Sequence, residues 1–257
     1  MMSRRAVLAV DVGGSHVKLL VSAGGQDRRR FASGPKLGPN EMVEGVRATT
    51  QDWSYDVVSV GIPSPVLGGR VVSEPLNLGP GWVGFDFRAA FDRPTKVIND
   101  AAMQALGSYE GGKMLFLGLG TGLGSALVVD GRVEPLELGH LPFRKRTFED
   151  YVGESGRQRL GKKKWEKAVV ETIERLTAAL EPDYVVLGGG NAKKLQALPT
   201  NARLGANNNA FVGAFRLWDG PPGITEDAYS WTRGEPMEDV SFLPTPGPGD
   251  SEGGDIY

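Results

Sequence analysis

The sequence predicts an α/β protein built as two lobes around a cleft, and three observations lead there. Two short, apolar, β-rich runs, residues 6–10 and 17–22, flank the glycine turn of DVGGSH. The same strand, glycine turn, strand pattern returns in KMLFLGLGTGLGSALVV from Lys113 onward. The two turns lie about 110 residues apart in a chain of 257, long enough for one large domain or two small lobes. Duplication is one reading of that repeat.

The elements follow in order. Residues 6–10 (AVLAV) and 17–22 (VKLLVS) form a hairpin, with a third strand at 28–33. Residues 40–52 have helical character, and Asp56–Val60 returns to strand before GIPSP interrupts it. VIND (97–100) ends a strand and AAMQALGSYE, of high helix propensity, follows it, so Asp100 stands at a strand–helix junction. Trp165, Ala168, Val169, Ile173, Leu176 and Leu180 fall at helical spacing and predict an amphipathic helix over 163–180, stopped by Pro182. YVVL (184–187) reads as a strand, GGGN as the opening of the next helix, and 207–218 as a final helix. The expected lobes are 1–100 with 207–218, and 101–206. Residues 219–257 hold nine acids and one base, Arg233, among many Pro and Gly, and read as a poorly packed tail.

Composition excludes several classes of function. Hydrophobic residues at 40% and charged residues at 23% are ordinary for a soluble globular protein, and no stretch approaches the roughly 20 apolar residues of a membrane span. The opening apolar run leads straight into Asp11 and a glycine pair, so it reads as a first strand and not as a signal peptide. A cytoplasmic protein without a membrane partner is expected. The absence of cysteine removes disulfides, thiolate catalysis and cysteine-ligated zinc, and two histidines, His16 and His140, cannot build a histidine-rich metal centre. The net charge of −2 conceals an asymmetry: residues 144–167 carry nine Lys and Arg against four acids, opposite in sign to the tail. Such a split points to separate roles or to mutual attraction.

Five short motifs carry chemistry. In DVGGSHVK, Gly13 and Gly14 allow the backbone to approach a phosphate, Asp11 can hold Mg²⁺ through water, and Lys18 can neutralise phosphate charge. A hairpin turn uses the same glycines. In LGLGTGLGS, Gly120, Thr121 and Gly122 sit in a loop with more glycines than a hairpin needs. It is not a Walker loop, since no Gly-Lys-Ser/Thr follows, nor a Rossmann fingerprint, since a strand follows where a helix should open. Gly188, Gly189 and Gly190 leave room for a flat ligand or make a tight turn. Asn99 and Asp100 place a carboxylate where phosphoryl transfer needs a proton acceptor, although Asp100 is equally placed to cap the helix after it. In ELGH, Glu137 and His140 lie three apart and can reach one polyol together.

Taken together, these residues resemble the ROK family (repressors, open reading frames and kinases) of the actin/hexokinase/Hsp70 superfamily. DVGGSHVK is similar to the family's first phosphate loop, LGLGTGLGS to its second and VVLGGGNAKK to its adenosine-side loop. GIPSPVLGGRVVSEPLNLGPGW (Gly61–Trp82) is similar to the segment leading to a sugar-contacting Asn and a Trp. The resemblance covers roughly residues 6–218. It implies the actin-like ATPase (ribonuclease H-like) fold with an interlobe cleft, and a kinase in which Asp100 is the base. Asn77, Asn99, Glu137 and His140 then bind sugar hydroxyls, with Asp11, Gly13, Gly14, Ser15, Lys18 and Gly120–Gly122 on phosphate and Gly188–Gly190 on the nucleotide. Glu149, in TFEDYVGESG, occupies the place of a further sugar-binding Glu, but the family's zinc cysteines are absent there, so His140 serves sugar or local structure.

Within the family the cysteine-free pattern most resembles the polyphosphate glucokinases. The implied reaction is transfer from polyphosphate or ATP, with Mg²⁺, to a hexose 6-hydroxyl, glucose first. The 144–167 cluster is either a seat for that polyanion, bound as nucleic-acid backbones are by counterion release, or an ordinary solvated face. A homodimer is implied by the resemblance alone. Alternatives are a kinase for another acceptor, such as an N-acetylhexosamine, and a non-catalytic sugar sensor. The family's repressors carry an N-terminal helix-turn-helix, for which a first strand at Ala6 leaves no room, so no nucleic-acid partner is expected.

Overall fold

The computed structural model describes residues 5–23, 27–206 and 208–219. The acidic tail expected after Trp218 lies outside the described residues from 220 on, and Asp219 belongs to the last helix instead of to that tail.

The chain enters the first sheet through β1 (Val7–Val12), which is buried along its whole length. It pairs antiparallel with β2 (His16–Val21), and β2 pairs antiparallel with β3 (Arg29–Ala32). Helix α1 (Pro39–Thr49) begins with Pro in its first turn, where the missing N–H has no intrahelical acceptor, and buries Met42, Val43 and Val46. β4 (Val57–Ile62) then lies parallel to β1. A hairpin of β5 (Val66–Leu67) and β6 (Arg70–Val71), a short α2 (Phe87–Phe91) and β7 (Thr95–Asn99), parallel to β4, complete the order β3-β2-β1-β4-β7.

Helix α3 (Asp100–Ser108) leads to the second sheet. Here β8 (Lys113–Leu119), β9 (Leu123–Val129) and β10 (Arg132–Leu136) run antiparallel in succession. The hairpin of β11 (Pro142–Phe143) and β12 (Arg146–Thr147) opens into α4 (Phe148–Val152), α5 (Glu154–Leu160) and the long α6 (Lys162–Leu180). β13 (Tyr184–Gly188) returns parallel to β8, and β14 (Ala202–Leu204) lies parallel to β13. The order β10-β9-β8-β13-β14 repeats that of the first sheet, with the same strand directions. The near-repeat of the glycine turns is therefore the visible part of a repeated five-stranded unit.

One expectation changes, and one strand is not legible in the sequence. GGGN does not open a helix: Gly189 has φ of +80°, which a helix cannot contain, and only a single 3₁₀ turn (Ala192–Lys194) follows before β14. β14 itself, three residues with one large apolar side chain, carries no alternation to read. The amphipathic helix is where its periodicity places it. Trp165, Val169, Ile173 and Leu176 are buried against the second sheet, each contributing about 1.5–3 kcal/mol.

The closing helix α7 (Asn209–Asp219) packs on α3 and on the first sheet. A Cβ placed on Gly213 would lie 1.8 Å from the Met103 carbonyl oxygen, and one on Gly107 1.8 Å from that of Asn209. The two helices thus meet backbone to backbone. Ser59 Oγ donates to the Ala214 carbonyl at 2.7 Å and accepts from Trp218 Nε1 at 2.8 Å, tying α7 to β4. No described helix is long and apolar enough to cross a membrane.

Candidate active site

The first glycine turn joins β1 to β2. Asp11 and Lys18 are cross-strand partners beside it, and Lys18 Nζ donates to the Asp11 carboxylate at 2.9 Å. Asp11 is buried, whereas the Lys18 side chain is half-exposed. The Gly13 N–H bonds to the His16 carbonyl and the Ser15 carbonyl accepts from the Ser33 N–H, so the turn is closed by its own backbone and by the end of β3. A Cβ on Gly14 would stand 3.2 Å from Asn77 Cβ. The absence of that atom lets Asn77, which is exposed, lie against the first glycine turn.

The junction of β7 and α3 divides two tasks between neighbours. Asn99, and not Asp100, caps the helix: its Oδ1 accepts from the N–H groups of Ala101 and Ala102 at 3.0 and 3.1 Å. Its Nδ2 donates to the Ser64 carbonyl at 3.3 Å, leaving one amide hydrogen for a ligand. Asp100 is the first helical residue, and its carboxylate accepts from the Ala101 N–H at 2.8 Å. The first turn of α3 touches both halves of the molecule. A Cβ on Gly61 of β4 would meet the Met103 side chain and lie 3.6 Å from Asp100 Cα, while one on Gly124 of β9 would lie 2.9 Å from Ala101 Cβ. Enclosure between these walls, reinforced by the Asp11 charge, pushes the Asp100 carboxyl up to about 7, with the Ala101 N–H and Lys18 opposing.

The second glycine turn, Gly120–Gly122, joins β8 to β9. The Gly120 and Thr121 carbonyls accept from the Glu154 N–H at 3.0 and 3.1 Å, which fixes the turn on the start of α5. Thr121 is exposed. Gly122 abuts the cluster expected to hold sugar, for a Cβ there would lie 2.5 Å from Glu149 Oε2. Glu149 sits in the first turn of α4 behind a capping box of Thr147 and Asp150, and its Oε1 is 3.8 Å from His140 Nε2. Glu137 belongs to the same cluster. Burial raises its carboxyl, with His140 pulling down and Glu149 pushing up. Glu137, His140 and Glu149 are thus brought together, although the 3₁₀ turn and the helix that carry them are separated by a hairpin.

Gly188–Gly190 come to the opposite side of that turn. Gly189 faces the Leu119 carbonyl at 2.3 Å from a notional Cβ, and nothing lies within 4 Å of one on Gly190. Sequence reasoning missed Asn191, a buried residue whose backbone N–H donates to the Leu119 carbonyl at 3.0 Å and whose side-chain Nδ2 donates to that of Gly120 at 3.1 Å. An Asn directly after three glycines was its only signal. Glu154 and Ser64 were missed as well, because both act through backbone groups remote in sequence.

The donor set suits magnesium. Among the described residues no group of three or more His, Asp and Glu could hold a metal alone. One buried carboxylate, Asp11, at the first glycine turn fits an ion that keeps waters and takes its other ligands from donor phosphates.

The fold matches known structures. The chain superposes on the ROK family glucokinase from Streptomyces griseus, in complex with glucose and AMPPNP, with a TM-score of 0.65 at 15% identity, covering 82% of this chain and 98% of that one. The fold is that of the ROK sugar kinases. The inorganic polyphosphate/ATP-glucomannokinase of Arthrobacter sp. strain KM shares it, with a TM-score of 0.72 at 24% identity over 83% of this chain and 98% of that one. In sequence the chain resembles the polyphosphate glucokinase of Mycobacterium leprae, at 26% identity over 213 residues, 75% of this chain and 65% of that enzyme. The match thus spans just under two thirds of that relative. No protein-family model matches. Asp100 opens the helix turn against which Gly61 of the first sheet and Gly124 of the second both abut.

Proposed function

We propose that this chain is a sugar kinase that transfers a phosphoryl group from polyphosphate or ATP to the 6-hydroxyl of a hexose, glucose first. One observation carries the reading: Asp100, held at about 7, stands where the first turn of α3 meets both halves of the molecule, beside Asp11 and Lys18. A general base near neutrality combines an available ionised form with enough basicity to take a hydroxyl proton. The likeness to polyphosphate and ROK glucokinases supports the same chemistry.

In this reading Asn77, Glu137, His140, Glu149 and the remaining Asn99 hydrogen orient the sugar. The 6-hydroxyl gives its proton to the Asp100 carboxylate as its oxygen bonds to the terminal phosphorus of the donor. The bridging P–O bond breaks, and the leaving phosphate keeps that electron pair. Gly13, Gly14, Ser15 and Lys18 on one side, with Gly120, Thr121 and Gly122 on the other, hold the phosphates through N–H groups, hydroxyls and one ammonium. Asp11 would hold magnesium through water, and the ion, when bound, neutralises charge developing on the phosphates. Gly188–Gly190 lie on the side where a nucleotide donor would extend. A cytoplasmic homodimer acting on small molecules is part of the same proposal.

The test is sugar phosphorylation by the purified protein with magnesium, offering glucose, mannose and N-acetylhexosamines against polyphosphate and ATP. Glucose 6-phosphate from either donor is expected. Product from an N-acetylhexosamine alone would move the acceptor, and no product from any pair would overturn the reading.

A further inference from the structure

Beyond the second glycine turn lies a pocket of about 430 Å³ between α5, the start of α6 and the 3₁₀ turn after Asn191. Its charged walls are Arg157, Lys162, Lys193 and Lys194, and none of its lining residues is acidic. Glu154, just outside, accepts from Arg157 at 2.6 and 2.9 Å and lies 3.8 Å from Lys194. The pocket is wired to the turn: Lys194 Nζ donates to Asn191 Oδ1 at 2.7 Å, and Asn191 Nδ2 donates to the Gly120 carbonyl at 3.1 Å.

A second observation comes from α6. This helix begins with Lys162, Lys163 and Lys164, has no acid in its first turn, and its N-cap Gly161 supplies no side-chain acceptor. Three cations at the positive end of a helix dipole oppose the usual preference for anions there. Local choices that contradict helix stability mark places where a ligand compensates. The ligand's chemistry follows from what the walls lack. A nucleotide base needs apolar faces, yet Trp165 is fully buried and Leu195 is the one other large apolar side chain of the lining.

We propose that this pocket is a distal phosphate-chain site, which seats the phosphates remote from the transferred one and so favours long polyphosphate over a nucleotide. The proposal rests on the kinase reading above. It adds Lys193 and Lys194, which lie outside the 144–167 cluster. It also divides that cluster, since Arg144 is paired with Glu171 on the flank of α6 while Arg157 and Lys162 line the pocket.

The full chain carrying both Lys162→Gln and Lys193→Gln tests it against the unsubstituted protein, with long-chain polyphosphate, tripolyphosphate and ATP as donors. Equilibrium binding of long-chain polyphosphate is measured in parallel over a salt series. The expected result is a roughly tenfold rise in KM for the long chain, with a log–log salt slope shallower by about 0.7 per charge removed. KM values for tripolyphosphate, ATP and sugar should stay within about twofold, and the melting temperature should not move. Equal losses with all donors, or no loss with any, would overturn the proposal, and a loss greatest with ATP would make the pocket the nucleotide's. If the unsubstituted protein phosphorylates no sugar, the kinase reading fails by itself. The binding arm then decides the pocket: weakened polyphosphate binding by the variant upholds it, and unchanged binding overturns it.

Discussion

Asn99 caps the helix that Asp100 begins. The Asn99 oxygen accepts from the Ala101 and Ala102 N–H groups and so carries the cap, while the Asp100 carboxylate accepts from the Ala101 N–H and from its own backbone N–H. Substitutions at the two positions should therefore separate. Asp100→Asn should lower kcat by about 10²–10⁴ with sugar affinity retained. Asn99→Ala should cost about 1 kcal/mol of stability, a fall of about 2–4 °C in Tm, with a smaller loss of turnover. Steady-state kinetics, sugar binding by calorimetry and thermal melts read both. Near-normal turnover in Asp100→Asn would remove the base assignment.

The pH dependence of activity and of stability should run in opposite directions. With the base at about 7, kcat/KM should rise tenfold per pH unit below that value and level off above it. In the unfolded chain an aspartate titrates near 3.9, so between about pH 4 and 7 the folded state holds the extra proton. Stability then declines as pH rises through that window. Asp100→Asn abolishes this contribution, so its Tm should exceed that of the unsubstituted protein at pH 8 and approach it at pH 4. Equal Tm differences at both pH values would show that Asp100 is not held protonated by its surroundings.

Two glycines, Gly122 in the second glycine turn and Gly189 beside it, should respond differently to alanine. At Gly122 the added methyl meets the end of a flexible side chain, Glu149, which can swing away. Gly122→Ala should melt within about 2 °C of the parent but raise KM for the sugar severalfold. At Gly189 the methyl meets the Leu119 backbone at 2.3 Å, and φ of +80° is strained for alanine. Gly189→Ala should lose about 2–4 kcal/mol of stability. Denaturant unfolding alongside sugar titration of activity distinguishes them.

Gly213 reverses the ordinary helix rule. An interior Gly→Ala change normally stabilises a helix by up to about 1 kcal/mol. Here the methyl would strike the Met103 carbonyl 1.8 Å away and separate α7 from α3. Gly213→Ala should destabilise by about 1–3 kcal/mol, read from the midpoint of urea unfolding. A stabilised variant would mean that the two helices do not meet at this contact.

Much of this arrangement is legible in the chain because its signals are local. Short apolar runs on each side of a glycine turn specify β1–β2 and β8–β9, and apolar spacing from Trp165 to Leu180 specifies α6. Asp100 is recognisable because a strand-ending Asn-Asp precedes a strong helix former. Those features depend on residues within a few positions of one another, so composition and period suffice to reveal them.

Other features depend on residues far apart in the chain. The division of labour between Asn99 and Asp100 follows from which carboxylate or amide reaches two particular N–H groups. The near-neutral state of Asp100 needs Asp11, 89 positions earlier, and walls from both halves of the molecule. Nothing local signals that the backbones of α3 and α7 touch at Gly107 and Gly213, and Asn191 reads as the opening of a helix until its amide is found on Gly120. Local propensity and hydrophobic period thus determined the elements and their order. Burial, proximity of charge and backbone contact, which exist only once distant segments pack, decided the raised Asp100 carboxyl and the linkage of the second glycine turn to its neighbours.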